Sequence, residues 1–206
     1  QIVNNFKENG ITEIYIVTGY KSKKILTKDV KKIQNKMWAK SSIFNSLLLC
    51  SKILKKKECI ISYSDIYYDK NCINALKKTK GNISILSNSG WKKLWRKRFN
   101  NPLEDLESFK IRKNYLYEIG NKVNQLKEIE GQFMGLLKTK PKGWNKILAH
   151  KKNYYNENTK KIDITNFFKS FIQEYKKSIF VKKVKYQWYE IDFYKDYSIA
   201  RRNIEL

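Results

Sequence analysis

Two groups of acidic side chains, far apart in the chain, have the chemistry of a metal site. Asp65 follows a short, β-prone apolar run at residues 59–63, so its carboxylate is expected near the carboxyl end of a buried strand. Glu190 and Asp192 alternate along an extended segment and are expected to share one face, with Ile191 on the other. Two such carboxylates are costly without a cation, and carboxylate oxygens suit Mg²⁺. If the two strands are neighbours, Asp65 and Asp192 predict a Mg²⁺ site.

Each acidic residue also has an ordinary structural interpretation, and several other chemistries have little support. An aspartate after a strand often caps a helix or forms a turn, so Asp65 alone is a weak signal. The sequence contains no Walker-type glycine loop and no dinucleotide-binding glycine motif. His150 is the only histidine and lies in a basic, polar stretch, which predicts a surface residue. A Ser-His-Asp hydrolase or a histidine-ligated zinc site is therefore not favoured.

Length and composition indicate one globular domain. The chain has 206 residues, of which 41% are apolar and 14% aromatic, enough for an α/β domain with a sizeable core. The three cysteines lack zinc-type spacing and predict buried free thiols in a reducing compartment, the cytoplasm. No apolar stretch approaches the roughly 20 residues that a membrane-spanning helix needs.

The formal net charge is +25, from 44 Lys and Arg against 19 Asp and Glu. Such an excess suits nucleic acid or an anionic membrane surface. The basic residues, however, form scattered pairs and short runs, and Lys predominates although Arg favours bidentate phosphate recognition. A solvated lysine-rich surface is the preferred interpretation, and nucleic acid is not expected as a partner. A basic nucleic-acid-binding protein stays open as an alternative.

Strands and helices alternate through much of the chain, which predicts a largely parallel sheet flanked by helices. The region from Trp91 to Glu107 is predicted to carry polar specificity groups, and Gly131 and Gly135 predict close approach of a ligand or a neighbouring backbone. The apolar stripe on the helix after Asp163 is predicted to face the core. The predicted strands are residues 13–18, 59–63, 83–86, 131–137 and 178–184.

Several passages, in order through nearly the whole chain, resemble the nucleotidyltransferases that join a nucleoside triphosphate to a sugar phosphate or phospho-alcohol. The resemblance is greatest to the phosphocholine-type and capsule-associated cytidylyltransferase branch. The matching passages are residues 9–20, 41–47, 61–66, 91–98, 101–107, 118–120, 128–136, 163–165 and 188–192 with Asp196.

This resemblance implies an enzyme with a Rossmann-like nucleotidyltransferase fold, which is an α/β fold with a mostly parallel mixed sheet flanked by helices. Asp65 and Asp192 would hold Mg²⁺ against the triphosphate, for which CTP is expected. The phosphate of a small-molecule acceptor would attack the α-phosphorus in line and release pyrophosphate, in surface-polysaccharide or head-group synthesis. Nucleotide binding is expected from Ser41, Ser42 and Ser46. The residues expected in the acceptor pocket are Trp91, Arg98, Glu104, Asp105, Glu107, Gln132 and Glu190.

Two departures from the family pattern qualify these expectations. The glycine-rich loop and the downstream Pro-Lys that cradle the triphosphate in the family are absent, so residues 1–206 are expected to form an N-terminally truncated domain that lacks its first strand. Little activity is expected from this chain alone. Ser42 stands where the family often has Asn, and Asn88 where it often has Asp, which leaves the base and the acceptor open. A homodimer and a non-catalytic remnant of the fold also stay open.

Overall fold

The computed structural model describes residues 1–154 and 162–204. The strands in these ranges are β1 (Tyr15–Thr18), β2 (Lys31–Gln34), β3 (Cys59–Ser62), β4 (Ile66–Tyr68), β5 (Ile83–Asn88), β6 (Glu107–Arg112), β7 (Tyr115–Lys122), β8 (Gln132–Thr139), β9 (Ile179–Val184) and β10 (Trp188–Glu190). The α-helices are α1 (Ile2–Glu8), α2 (Ile43–Leu48), α3 (Ser51–Leu54), α4 (Asn71–Lys77), α5 (Trp91–Arg98), α6 (Pro141–Tyr154), α7 (Ile164–Glu174) and α8 (Tyr194–Arg201).

A six-stranded mixed sheet forms the centre of the fold, with the strand order β3-β8-β5-β9-β7-β6. The α/β class predicted from the sequence is confirmed, because helices flank this sheet and supply much of the buried core. Strands β5 and β9 are parallel, whereas β8 runs antiparallel to both β3 and β5, and β6 and β7 form an antiparallel hairpin. The expectation of a mostly parallel sheet is therefore wrong for the pairings that the structure describes.

Two short ladders lie outside the central sheet. Strands β1 and β2 pair in parallel, and β10 pairs with β4 in antiparallel register. Among the described strands, β1 pairs only with β2 and β3 only with β8, so each has one edge without a strand partner. The absence of a first strand, as the family resemblance implies it, stays a prediction.

The helix α7 packs its apolar stripe into the core, as predicted. Asp163 caps the helix, since its Oδ1 accepts a 2.7 Å hydrogen bond from the backbone N–H of Asn166. Phe167 and Phe171 are fully buried, and the ring of Phe167 stacks on Phe44 with centroids 4.1 Å apart. This stacking joins α7 to α2 within the core.

His150 is buried, so the prediction of a surface position was wrong. The imidazole lies between α6 and α7, where Nδ1 is 2.6 Å from Glu174 Oε2 and Nε2 is 2.8 Å from Ser170 Oγ. The polar stretch around His150 in the sequence hides the fact that this face of α6 meets α7. Partners for both ring nitrogens make the burial possible.

All three cysteines are free thiols, as predicted. Only Cys72 is fully buried, whereas Cys50 and Cys59 are half-buried.

Among the described helices, none is both long enough and apolar enough to cross a membrane.

Candidate active site

The two acidic segments meet through the short ladder of β4 and β10. Glu190 lies opposite Ile66, and one step further the backbone N–H of Ile191 donates a 2.8 Å hydrogen bond to the carbonyl oxygen of Asp65. The pairing brings the backbones of Asp65 and Asp192 into adjacent positions, and both residues are exposed to solvent. Although the residue is exposed, partial desolvation of the Asp65 carboxyl raises its pKa, and the charge of Asp192 raises it further.

Arg98 connects the carboxylates of this segment to one guanidinium. Nη1 donates to Glu190 Oε2 at 2.8 Å, Nη2 to Asp192 Oδ2 at 2.6 Å and Nε to Asp196 Oδ1 at 3.0 Å. Glu190 and Asp192 thus point to the same side, as their alternation predicts. The Arg98 side chain is only 1% exposed. It does not occupy the open, phosphate-binding position predicted for it, because its donors are turned inward to protein carboxylates.

Trp91 is also placed differently from the prediction. Residues 91, 95 and 98 share the buried face of α5, so Trp91 is 2% exposed and belongs to the core rather than to an open acceptor pocket. Trp95 instead makes a polar contact with Asp105, one of the residues predicted for the acceptor pocket. Its ring stacks on Trp188 with centroids 5.5 Å apart, and its Nε1 donates a 2.9 Å hydrogen bond to Asp105 Oδ2.

Tyr63 lies within electrostatic range of three carboxylates. Burial raises the pKa of the Tyr63 hydroxyl well above its usual range, and the charges of Asp163, Asp65 and Glu190 raise it further. Asp163 comes from the start of α7 and was predicted only as a helix cap. The fold adds a distant carboxylate that no local sequence pattern associates with the site.

Glu107 and Asp105 extend the acidic surroundings toward α7. Burial raises the pKa of Glu107, and the charge of Asp163 raises it further, while Lys169 acts in the opposite direction. Asp105 adds a smaller repulsion on Glu107. The group formed by Asp105, Glu107, Asp163 and Glu190 is called the acidic cluster below.

Glu190 belongs to both the Arg98 group and the acidic cluster. Burial raises its pKa to about 7, while Arg98 acts to lower it and the charges of Asp192 and Asp105 raise it. Its carboxylate accepts from Arg98 Nη1 and is 30% exposed. A cation at this position would therefore be stabilised by a partly desolvated acid.

Two further residues predicted for the acceptor pocket lie on separate elements of the fold. Glu104 is exposed at the end of the 3-10 turn Pro102–Glu104. Gln132 is half-buried at the start of β8, opposite Asn88 in the ladder. The amide of Asn88 is already engaged, since Nδ2 donates to the Tyr186 carbonyl at 2.9 Å and Oδ1 accepts from the Gly90 N–H at 2.7 Å.

Close packing by neighbouring side chains accounts for Gly131, just before β8, and Gly135, within β8. A Cβ at Gly131 would lie 2.1 Å from Ser87 Oγ, so a strand side chain fills the space that the missing Cβ leaves. Gly135 has a φ of +71°, and the Tyr63 ring packs directly against it. Both close approaches come from neighbouring side chains.

The three serines predicted to bind the nucleotide lie together at the start of α2. Ser42 caps the helix by accepting a 3.2 Å hydrogen bond from the Asn45 N–H. Asn35, which is buried just after β2, donates from Nδ2 to Ser41 Oγ at 2.8 Å and to Ser46 Oγ at 3.0 Å. The sequence interpretation missed Asn35, and the described contacts connect these serines to β2 rather than to Asp65 or Asp192.

The exposed carboxylates fit a Mg²⁺ ion that is shared with phosphates. No group of three or more His, Cys, Asp or Glu side chains in the described ranges has the spacing of a complete metal site. Mg²⁺ is usually held by one or two carboxylates plus substrate phosphates and water, so a pair is sufficient. Asp192 accepts from Arg98 through Oδ2, which leaves Oδ1 available for a cation.

Solved structures with the same architecture define the class of protein. The inositol-1-phosphate CTP transferase from T. maritima is 13% identical with a TM-score of 0.72, and covers 100% of this chain and 83% of its own. The CTP:phosphocholine cytidylyltransferase from Streptococcus pneumoniae is 18% identical with a TM-score of 0.68, covering 98% and 82%. The fold is that of the nucleotidyltransferases.

A sequence relative narrows the class to a family. The CTP:phosphoglutamine cytidylyltransferase of Campylobacter jejuni is 33% identical over 214 residues, covering 96% of this chain and 84% of the relative. Comparison with protein-family models gives no match. The chain belongs to the cytidylyltransferase family of nucleotidyltransferases, enzymes that transfer a nucleoside monophosphate to an acceptor.

Proposed function

We propose that this protein transfers CMP from CTP to a phosphorylated small molecule that carries a cationic group, with release of pyrophosphate. The observation that carries the proposal is the juxtaposition of Asp65 and Asp192, fixed by the hydrogen bond between the Ile191 N–H and the Asp65 carbonyl. The names of the relatives support CTP as the donor and a phosphorylated acceptor. A role in surface-polysaccharide or head-group synthesis, in the cytoplasm, is part of the same proposal.

The chemistry requires positioning and neutralisation of charge more than proton transfer. The attacking oxygen of a phosphate monoester is already anionic, so no general base is needed. Asp65 and Asp192 would hold Mg²⁺, which when bound neutralises triphosphate charge and stabilises the developing charge on the leaving group. The three serines at the start of α2 would bind the nucleotide. The protein's own contribution is to orient the two reactants in line.

The acidic cluster supports a cationic acceptor. The charges of Asp163 and Asp105 raise the pKa of Glu107, and the charges of Asp192 and Asp105 raise the pKa of Glu190. Arg98 and Lys169 offset only part of this repulsion, since the pKa values of Glu190 and Glu107 stay raised. A bound ammonium group would relieve the rest while the acceptor phosphate faces the nucleotide. Trp95, through its hydrogen bond to Asp105, holds one of these carboxylates in place.

Phosphorus NMR on the protein with CTP, Mg²⁺ and phosphocholine tests the proposed reaction. Pyrophosphate and a CDP-linked product should accumulate together. Asp65→Asn and Asp192→Asn should each lower the rate by about 100-fold or more, because each removes a metal-binding charge. Asp29→Asn is the matched control, since Asp29 is exposed and pairs only with Lys7 among the described ion pairs. Equal product formation by all four proteins would contradict the assignment.

A further inference from the structure

The group around Arg98 has a feature that a simple core ion pair lacks, since one buried cation meets three carboxylates. Glu190 ends β10, and Asp192 lies two residues after it. The third carboxylate, Asp196, comes from α8. Asp196 is 3% exposed and Arg98 1%. Carboxylates this close repel one another, so the guanidinium is what allows them to converge.

Arg98 and Asp196 act on Asp192 from two directions. Arg98 Nη2 holds the Asp192 side chain at 2.6 Å, while Asp196 Oδ2 accepts from the backbone N–H groups of Asp192 and Phe193, each at 3.1 Å. Arg98 Nη2 also reaches Asp196 Oδ2 at 3.3 Å. The backbone and side chain of Asp192 are therefore fixed by one hydrogen-bonded unit.

Arg98 is itself held firmly by its surroundings. The guanidinium lies 4.8 Å from the centroid of the Trp95 ring and 5.1 Å from that of Phe99. Its backbone carbonyl accepts a 2.8 Å hydrogen bond from Lys195 Nζ, which joins α5 to α8. The orientation of the planar Arg98 guanidinium is thus set before any ligand binds.

We propose that Arg98 is a positioning residue that, together with Asp196, presents Asp192 to the metal and Glu190 to the acceptor. This inference rests on the proposed function. A planar guanidinium contacts separate carboxylates through Nε, Nη1 and Nη2, which the compact ammonium group of lysine does not reproduce. Outer residues that orient metal ligands in this way typically contribute 10–100-fold to metal affinity.

Metal binding to the wild type and its variants tests this proposal. Mn²⁺ serves as the probe in place of Mg²⁺, because electron paramagnetic resonance measures the concentration of free Mn²⁺ directly. The titration is made with CTP present. Arg98→Lys keeps the charge and loses the planar guanidinium, and Asp196→Asn keeps the shape and loses the charge. Each should weaken Mn²⁺ binding by about 10–100-fold. Arg96→Lys is the matched control, because Arg96 is exposed on the same helix, and it should stay within twofold of the wild type.

The outcomes separate this inference from the proposed function. If folded Arg98→Lys, or folded Asp196→Asn should the first variant not fold, binds Mn²⁺ within twofold of the wild type, the positioning role is overturned and Arg98 is only a structural ion-pair partner. If the wild type binds no Mn²⁺, or if Asp65→Asn and Asp192→Asn bind it unchanged, the proposed metal site itself is wrong. Circular dichroism melting identifies which variants are folded.

Discussion

The ring of Tyr63 packs against Gly135, where an added Cβ would come within 3.0 Å of Tyr63 Cγ. Gly135 also has a φ of +71°, a conformation that residues with a Cβ adopt only at a cost. The contact links β8 to the acidic surroundings, because Tyr63 lies within electrostatic range of Asp65, Asp163 and Glu190. Glycine at this position is therefore required by both backbone and packing.

Gly135→Ala should lower the free energy of unfolding by about 2–4 kcal/mol, the sum of left-handed backbone strain and overpacking against Tyr63. Gly10→Ala is a matched control, since Gly10 has a φ of +75° and no heavy atom within 4 Å of an added Cβ. It should lose only about 1 kcal/mol. Urea denaturation of both variants measures the difference, and equal losses would show that the Tyr63 contact has no energetic role.

Glu107→Gln should reduce the preference of the acceptor site for a cation. Ethanolamine phosphate carries an ammonium group where ethylene glycol monophosphate carries a hydroxyl. The dissociation constant of ethylene glycol monophosphate divided by that of ethanolamine phosphate therefore measures the preference for the positive charge. Removing one partly desolvated carboxylate should lower the ratio by about tenfold. Isothermal titration calorimetry on the wild type and the variant gives the ratio. An unchanged ratio would place the cationic group away from the acidic cluster.

The hydrogen bonds that Glu174 accepts from Tyr175 and His150 should make stability depend on pH at the acidic end. Hydrogen bonds from Tyr175 and then His150 lower the pKa of the Glu174 carboxyl. Because the folded-state pKa is depressed, the stabilisation is complete above the usual glutamate pKa and is lost as pH falls through the depressed value. Glu174→Gln should therefore be less stable than the wild type at pH 7, by a difference that shrinks toward pH 3. A difference in the free energy of unfolding that grows on acidification would contradict the lowered pKa of Glu174.

Local pattern was sufficient for several elements because their signals are short-range. The run from Cys59 to Ser62 is apolar and β-branched, and forms β3. Asp163 followed by an apolar stripe of period 3.6 predicts α7 with its cap. The alternation of Glu190 and Asp192 correctly placed both on one side, since both reach Arg98.

Other features depend on contacts between distant segments. The hairpin of β6 and β7 was missed because charged residues interrupt its apolar alternation, although Lys113 and Asn114 form a turn with positive φ at both positions. The antiparallel insertion of β8 between β3 and β5 has no local signal. Asp163 approaches Glu107 only because α7 packs against β7.

The burial of Arg98 can be predicted in part from its spacing relative to the tryptophans of α5. Arg96, Lys97 and Arg98 are three consecutive cations, and charge alone predicts that each of them is exposed. Arg98, however, follows Trp95 by three positions and Trp91 by seven, which places it on the buried face of α5. The identity of its three partners required the fold, because they lie more than 90 positions further along the chain.

The binding of CTP with Mg²⁺ to the site of Asp65 and Asp192 is tested most directly by thermal denaturation with and without both ligands. At CTP concentrations about 100 times the dissociation constant, stabilisation of about 2.7 kcal/mol should raise the Tm by roughly 5–10 °C in the wild type. UTP and dTTP should raise it less, and Asp65→Ala should abolish the shift. An equal shift for Asp65→Ala, or no shift with CTP and Mg²⁺ in the wild type, would contradict the account.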